Sequence, residues 1–296
     1  MSSNYNSLGI AESIYIANRG GINMDYLRPI NNSTINLDNS IFKNTFRLRD
    51  TYGGNSVYRH KKENHIIRLI SFDKLKEKGN FRLKDPGSAI THLIAMIVAI
   101  IAMPAMVYQA STTNHIVNVI SVTVFMLSMI ALYAASTTYH SYDISASANK
   151  ILKKLDHSMI PVLIAGSYTP ICLVALHNTV GYIMLSIVWG LALVAIAFKL
   201  LWVTCPKWVS SVIYLIMGWT CVMAFPQILA AVPLTGFIWL FAGGVMYSVG
   251  AIIYALKPVK FDMAHPNFGS HEIFHLFVMA GSLCHYIMIF TYVATM

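Results

Sequence analysis

Residues 88–108 read SAITHLIAMIVAIIAMPAMVY and contain no Asp, Glu, Lys or Arg. A helix needs about 20 such residues to cross about 30 Å of hydrocarbon, because it rises about 1.5 Å per residue. Six further apolar runs of similar length follow, at 116–139, 157–176, 180–204, 208–231, 234–256 and 272–294. Only 11% of the chain is charged, whereas soluble domains have about 25%. The sequence therefore predicts an all-α polytopic membrane protein with seven transmembrane helices.

The basic residues alternate between the two sides of these runs. Fourteen of the 21 Lys and Arg precede residue 88, and the other seven lie near the second, fourth and sixth connections. The intervening connections and the C-terminal end contain none. Cytoplasmic loops are enriched in Lys and Arg, so we expect the N-terminus to be cytoplasmic and the C-terminus outside, in the plasma membrane. This distribution also explains the net charge of +9 without a nucleic-acid partner.

The chain divides into three regions by composition. Residues 1–65 are rich in Asn and Ser without a clear period, which predicts a disordered cytoplasmic tail. Residues 66–84 interleave apolar and basic side chains, and two interpretations remain open: an amphipathic helix on the inner leaflet, or a solvated linker. Residues 85–296 form the seven-helix domain. The four cysteines are scattered without a C-x-x-C pair, which indicates neither a disulfide framework nor a thiolate metal site.

Three histidines at the ends of predicted spans are candidate metal ligands. His271 and His275 open the seventh span four residues apart, and therefore share one helix face. His140 ends the second span and Asp156 opens the third, so the predicted topology places all four at one membrane depth. Three imidazoles with an open fourth position suit a catalytic zinc. Asp156 would orient a ligand or hold its water, and Ser136 lies one turn before His140 on the same face.

Other polar residues near these positions are weaker candidates for the metal site. Residues 271–275 spell HExxH, the signature of zinc proteases, but the candidate third ligand lies upstream, which is the wrong order for that class. Glu272 is 100° around the helix from His271 and faces the metal only in some helix orientations. His285 is ten residues beyond His275, too far to join that metal, and is expected to hydrogen-bond within the bundle. Nothing in its spacing ties His92 to the site.

Motifs in four helices resemble the haemolysin III branch of the progestin and adiponectin receptor family. They are Asp85-Pro86 through Thr91-His92-Leu93-Ile94; Ser136-x-x-x-His140; Leu155-Asp156-His157-Ser158 to Ala165-Gly166-Ser167-Tyr168-Thr169-Pro170; and Ser270-His271-Glu272-Ile273-Phe274-His275 to His285-Tyr286. The resemblance covers residues 85–296. It implies seven spans, an inside N-terminus and zinc at the cytoplasmic face, held by His140, His271 and His275, with Ser136 and Asp156 in the pocket.

Two functions are compatible with this resemblance. The family is thought to include lipid amide hydrolases similar to ceramidases. The first hypothesis is therefore a zinc-dependent hydrolase of a membrane lipid amide or ester, with Asp156 as proton shuttle and Ser136 beside the reacting oxygen. Glu272 is a third catalytic candidate, although family members can carry Gln at its position. The alternative is a receptor, sensor or cytolytic protein in which zinc only ties helices two and seven together.

Overall fold

Seven long helices account for most of the residues that the structure describes. The structure is a computed structural model and describes residues 83–256, 258–265 and 268–296. The helices are α1 Pro86–Ser111, α2 Ile116–Ser141, α3 Ala146–Leu176, α4 Thr179–Leu201, α5 Lys207–Ala231, α6 Leu234–Leu256 and α7 Ser270–Val293. The described residues contain no strand, and the predicted seven-span helical architecture is confirmed. The predictions for residues 1–65 and for 66–82 lie outside the described residues.

The third helix begins earlier than the hydropathy pattern predicts. Its apolar run starts at residue 157, but the helix starts at Ala146, where the Ser145 side chain accepts a hydrogen bond from the Ala148 amide. Lysines in its first turns favour helix without raising hydropathy, so the polar turns were missed. Asp156 therefore lies inside α3 and does not open it. Beyond Pro170 the helix continues as a π-helical turn, Ile171–Leu176.

The helices form a closed ring. Each helix packs against the next along the chain, and α7 packs against α1. Because successive helices are antiparallel, the starts of α1, α3, α5 and α7 lie at the same end of the bundle as the ends of α2, α4 and α6. We call this the histidine end. It places the helix termini that carry His140 and His271 at one level, as the topology predicts.

A break in the α-helical hydrogen bonding of α5 is stabilised by its neighbour α3. The helix is α-helical over Lys207–Trp219 and becomes a 3-10 turn over Thr220–Ala224. The Tyr168 hydroxyl of α3 donates to the carbonyl of Gly218 at 2.6 Å and accepts from the amide of Cys221 at 2.9 Å. Broken helices persist in membranes where another helix satisfies the freed backbone groups, as Tyr168 does here.

Glycines allow α6 and α7 to approach closely. Gly243 lies against the ring of His285, Gly250 against Phe277, and Gly281 against Tyr247. Glycines within a membrane span predict close helix contacts, here at Gly243, Gly244 and Gly250. This is confirmed for Gly243 and Gly250 but wrong for Gly244, which has open space where a side chain would begin. All four cysteines are free, as expected.

Candidate metal centre

Three imidazoles converge at the histidine end. His140, His271 and His275 each offer one nitrogen, and these atoms all lie within 4.8 Å of one another. The Nε2 atoms of His140 and His271 are 3.2 Å apart. In a tetrahedral site with Zn–N bonds of about 2.0–2.1 Å, the ligand nitrogens are about 3.4 Å apart. The structure therefore brings together the three histidines that the sequence selected, in a group that could hold a metal ion.

Two of these rings are oriented by oxygen atoms that the sequence reasoning missed. Asp85 Oδ2 lies 3.1 Å from Nδ1 of His140, and Thr91 Oγ1 lies 3.3 Å from Nδ1 of His275. Such contacts leave Nε2 of each ring free for a metal and fix its direction. In the sequence, Asp85 belongs to the first-helix motif but has no predicted role in the site. The predicted topology could have indicated these contacts, because the first turns of α1 must lie at the histidine end.

His92 belongs to the surroundings of the centre. Its ring stacks on that of His275, with centroids 3.6 Å apart and planes 7° from parallel. Both of its ring nitrogens are buried without a hydrogen-bond partner among the described residues. Sequence spacing gives no tie between His92 and the site, and the stacking on His275 supplies one. It stands outside the group of three nitrogens that could hold a metal, and packs behind one of them.

Glu272 is engaged in hydrogen bonds that hold the start of α7. Its Oε1 accepts from the Ser88 hydroxyl of α1 at 2.6 Å, and its Oε2 accepts from the Gly269 amide at 2.8 Å. The carboxylate of Asp262 likewise accepts from the amide of Ser270 at 2.7 Å and from its hydroxyl at 3.0 Å. A side chain that accepts from an amide three residues earlier caps a helix start. These contacts position α7, which carries two of the three histidines.

Asp156 and Ser136 face the same internal space as the histidines. Both line one cavity together with His271 and His275. Asp156 is buried on α3, and Ser136 is buried on α2. The Ser136 hydroxyl faces the Asp156 carboxylate but has no hydrogen bond of standard geometry within the described part of the chain. The structure thus leaves a hydroxyl and a carboxylate beside the histidines, available to a bound molecule.

The cavity extends from the histidine end deep into the bundle. It encloses about 1260 Å³, including its opening, and its lining runs along α7 from His271 to His285, about 20 Å at 1.5 Å per residue. Beyond the histidine end the walls are largely apolar: Leu132, Ile160, Leu163, Ile171, Met184, Ile228, Leu240 and Val278. The cavity therefore has polar side chains at the histidine end, where His271 and His275 line it, and largely apolar walls along the rest of its length.

Comparison with known proteins agrees with this geometry. A family model described as haemolysin-III related matches residues 82–286. The Hemolysin-3 homolog of Bacillus subtilis is 38% identical over 213 residues, 72% of this chain and 96% of that protein. Hemolysin-3 of Bacillus cereus is 35% identical over 221 residues, 75% of this chain and 97% of that protein. The adiponectin receptor protein of Drosophila melanogaster is 29% identical over 238 residues, 71% of this chain and 51% of that protein.

Proposed function

The chain belongs to the haemolysin-III-related family, with relatives among the adiponectin receptors, and from this premise we propose that it is a zinc-dependent hydrolase of a lipid amide or ester. One observation carries the proposal: two members of the three-histidine group, His271 and His275, line a long and largely apolar cavity that also contains Asp156 and Ser136. A zinc serving only to tie α2 to α7 would need neither the cavity nor the two oxygen-bearing side chains.

The donor set fits zinc. Neutral imidazole suits this borderline-soft cation, and three protein ligands leave one coordination position open. The oxygens beside Nδ1 of His140 and His275 favour the tautomer in which Nε2 carries a lone pair for the metal. Zinc held by His140, His271 and His275 would supply Lewis acidity, which polarises a carbonyl and makes a water more acidic.

Two side chains of the cavity would carry the proton and hydrogen-bond chemistry. The Asp156 carboxylate would accept a proton from the attacking water and return it to the departing amine or alcohol. The Ser136 hydroxyl, which makes no hydrogen bond of standard geometry among the described residues, would donate to the oxygen on which negative charge develops. Both carboxylate oxygens of Glu272 already accept hydrogen bonds. We therefore assign Glu272 a positioning role.

The apolar part of the cavity would bind the acyl chain. Each methylene transferred from water to an apolar site contributes about 0.8 kcal/mol, but a lipid already dissolved in the bilayer gains much less. The long wall along α7 would therefore select lipids by the shape and length of their acyl chain. Its main effect would be to hold the scissile carbonyl beside Asp156 and Ser136, so that the reaction proceeds from one fixed orientation.

The membrane orientation is part of the proposal. Lysines Lys150, Lys153, Lys154, Lys199 and Lys207 all lie at or near the histidine end. By the positive-inside rule this end faces the cytoplasm, with the C-terminus outside, in the plasma membrane. A C-terminal fusion to a phosphatase that is active only outside the cytoplasm should be active, and a fusion in the α4–α5 connection should be silent. The reverse pattern would contradict the orientation.

Zinc content and lipid hydrolysis measured on the same purified samples test the function. We expect His271→Ala to lose bound zinc and turnover together. Asp156→Asn should retain zinc and lose turnover by about a hundredfold or more, and Ser136→Ala by about a hundredfold. Ser167→Ala is the matched control, since Ser167 lines the cavity further along α3 and donates to the Ile164 carbonyl. Fatty-acid release from amide and ester lipids is followed by mass spectrometry.

The same variants distinguish the hydrolase from the alternative function. In a receptor, sensor or cytolytic protein with a structural zinc, His140→Ala would lower thermal stability while Asp156→Asn and Ser136→Ala kept full function. Hydrolysis by the metal-free His271→Ala variant at the parental rate would contradict the zinc mechanism.

A further inference from the structure

His285 is an unpartnered polar side chain in the apolar part of the cavity. It lies on α7 ten residues beyond His275, about 15 Å along the helix, lines the cavity and is only 9% exposed. Neither ring nitrogen has a hydrogen-bond partner among the described residues. The Leu240 carbonyl of α6 faces the ring without a hydrogen bond of standard geometry. The hydrogen bond predicted for His285 within the bundle is thus not formed with standard geometry among the described residues.

The surrounding helices make room for an imidazole at this depth. A Cβ atom at Gly243 would collide with Cδ2 and Nε2 of the His285 ring, so the ring fits because α6 has no side chain there. The Tyr247 ring stands edge-on to His285, with centroids 5.3 Å apart and planes at 78°. The Tyr247 hydroxyl is 2.9 Å from the Ser282 hydroxyl. This packing holds the imidazole in place without satisfying its nitrogens.

The other polar groups in this part of the cavity have partners. The Tyr168 hydroxyl donates to the Gly218 carbonyl, Trp219 Nε1 donates to Ser248, and the Ser248 hydroxyl donates to the Gly244 carbonyl. A buried polar group without a partner is costly, and most buried groups avoid it. Away from the histidine end, His285 is the exception among the lining side chains that the structure describes. The protein makes no standard hydrogen bond to its ring, and the side chain lines the cavity, where a bound molecule can meet it.

We propose that His285 is a hydrogen-bonding subsite for a hydroxyl group carried within the acyl chain, about 15 Å from the head held at the histidine end. The inference rests on the proposed function and narrows its substrate to lipids with a mid-chain hydroxyl. A neutral imidazole presents one N–H donor and one nitrogen acceptor. A hydroxyl can complement either nitrogen in either tautomer, whereas a carbonyl or ether oxygen only accepts. An unsubstituted chain would leave both nitrogens unpaired.

Binding of two fatty acids, which stand for the acyl product of hydrolysis, tests the subsite. Stearic acid and 12-hydroxystearic acid are compared on the delipidated, zinc-loaded full chain, by competition against a fluorescent fatty acid. We expect the hydroxy acid to bind about fivefold to tenfold more tightly, the value of one net hydrogen bond in a buried site. His285→Leu should abolish this preference while retaining stearic acid, and His285→Gln should keep part of it because its amide can still hydrogen-bond.

Matched controls isolate the hydroxyl contact. Met184→Leu, a volume-conserving change in another cavity wall, should leave the preference intact. 2-Hydroxystearic acid carries its hydroxyl beside the head and should gain nothing from His285. Zinc content and thermal midpoint, measured for every variant, should stay parental in His285→Gln because the metal centre is about 15 Å away.

Each other outcome overturns the inference in a recognisable way. Equal affinity of the two acids in the parent, or an unchanged preference in His285→Leu, would show that the chain hydroxyl does not pair with His285. Either result would leave the proposed hydrolase function untouched. If neither acid binds the parent, the acyl-chain cavity fails, and the proposed function fails with the subsite.

Discussion

Asp85 and His140 are joined in two ways across 55 residues. The Asp85 carboxylate lies 3.1 Å from Nδ1 of His140, and the Asp85 amide donates to the His140 carbonyl at 2.9 Å. The chain entering α1 is thereby fixed to the last turn of α2. The side-chain contact directs Nε2 of His140 toward Nε2 of His271. A residue at the start of the first span therefore sets the direction of a ligand at the end of the second.

Asp85→Asn should weaken zinc binding about tenfold. The amide can still accept from Nδ1 but lacks the negative charge that makes the ligand ring more basic, and loss of such partners costs about 10–100-fold in metal affinity. Competition with a chromogenic chelator measures the change. Asp143→Asn is the control, since Asp143 is an exposed carboxylate that accepts from Asn149 and should have no effect. Parental affinity in Asp85→Asn would contradict the orienting role.

Thr91→Val should reduce zinc affinity by a smaller factor, about threefold to tenfold. The neutral hydroxyl lies 3.3 Å from Nδ1 of His275, and neutral contacts are weaker than charged ones. Thr138→Val is a matched control because Thr138 donates only to the Ala134 carbonyl of its own helix. The same chelator titration applies, and a fall in affinity shared equally by both variants would indicate a general loss of stability.

Glu272→Ala should lower the free energy of unfolding by about 1–2 kcal/mol, because it removes the cap of α7 and the bond to α1. Ser88→Ala should cost about 1 kcal/mol, and the double variant should cost less than the two together because they share the 2.6 Å hydrogen bond. Denaturant titration in detergent measures these values. Loss of turnover in Glu272→Gln, with stability and zinc content unchanged, would instead support the HExxH interpretation of Glu272 as a base.

Gly243→Ala should destabilise the bundle by about 1–3 kcal/mol, the usual cost of overpacking. The added methyl would meet the His285 ring and the Gly281 carbonyl, forcing α6 and α7 apart. Gly244→Ala offers the adjacent control, since the added methyl would meet no other part of the protein within 4 Å beyond its own helix backbone and Ala favours helix by up to about 1 kcal/mol. Thermal unfolding should separate the two variants. Equal midpoints would show that α6 and α7 adjust without strain.

Much of the fold was predictable because the bilayer imposes length and polarity on each span. Seven apolar runs became seven helices with ends within a few residues of those predicted, except at α3. There the hydropathy signal begins at residue 157, whereas the helix begins at Ala146. Capping by Ser145 and helix-forming lysines extend α3 beyond its apolar part. Hydropathy measures how well residues suit the hydrocarbon core of the bilayer. It cannot detect helical turns that lie outside that core.

The sequence by itself determined the three histidines and their common level, since i, i+4 spacing and alternating helix direction are properties of the chain. Only the tertiary structure decided what surrounds them: Asp85 and Thr91 behind two rings, Glu272 turned to Ser88, and His285 left without a partner. The reason is rotational. Hydropathy fixes the depth of a residue in the membrane, but the rotation of each helix about its axis is set by packing against its neighbours, which no single helix encodes.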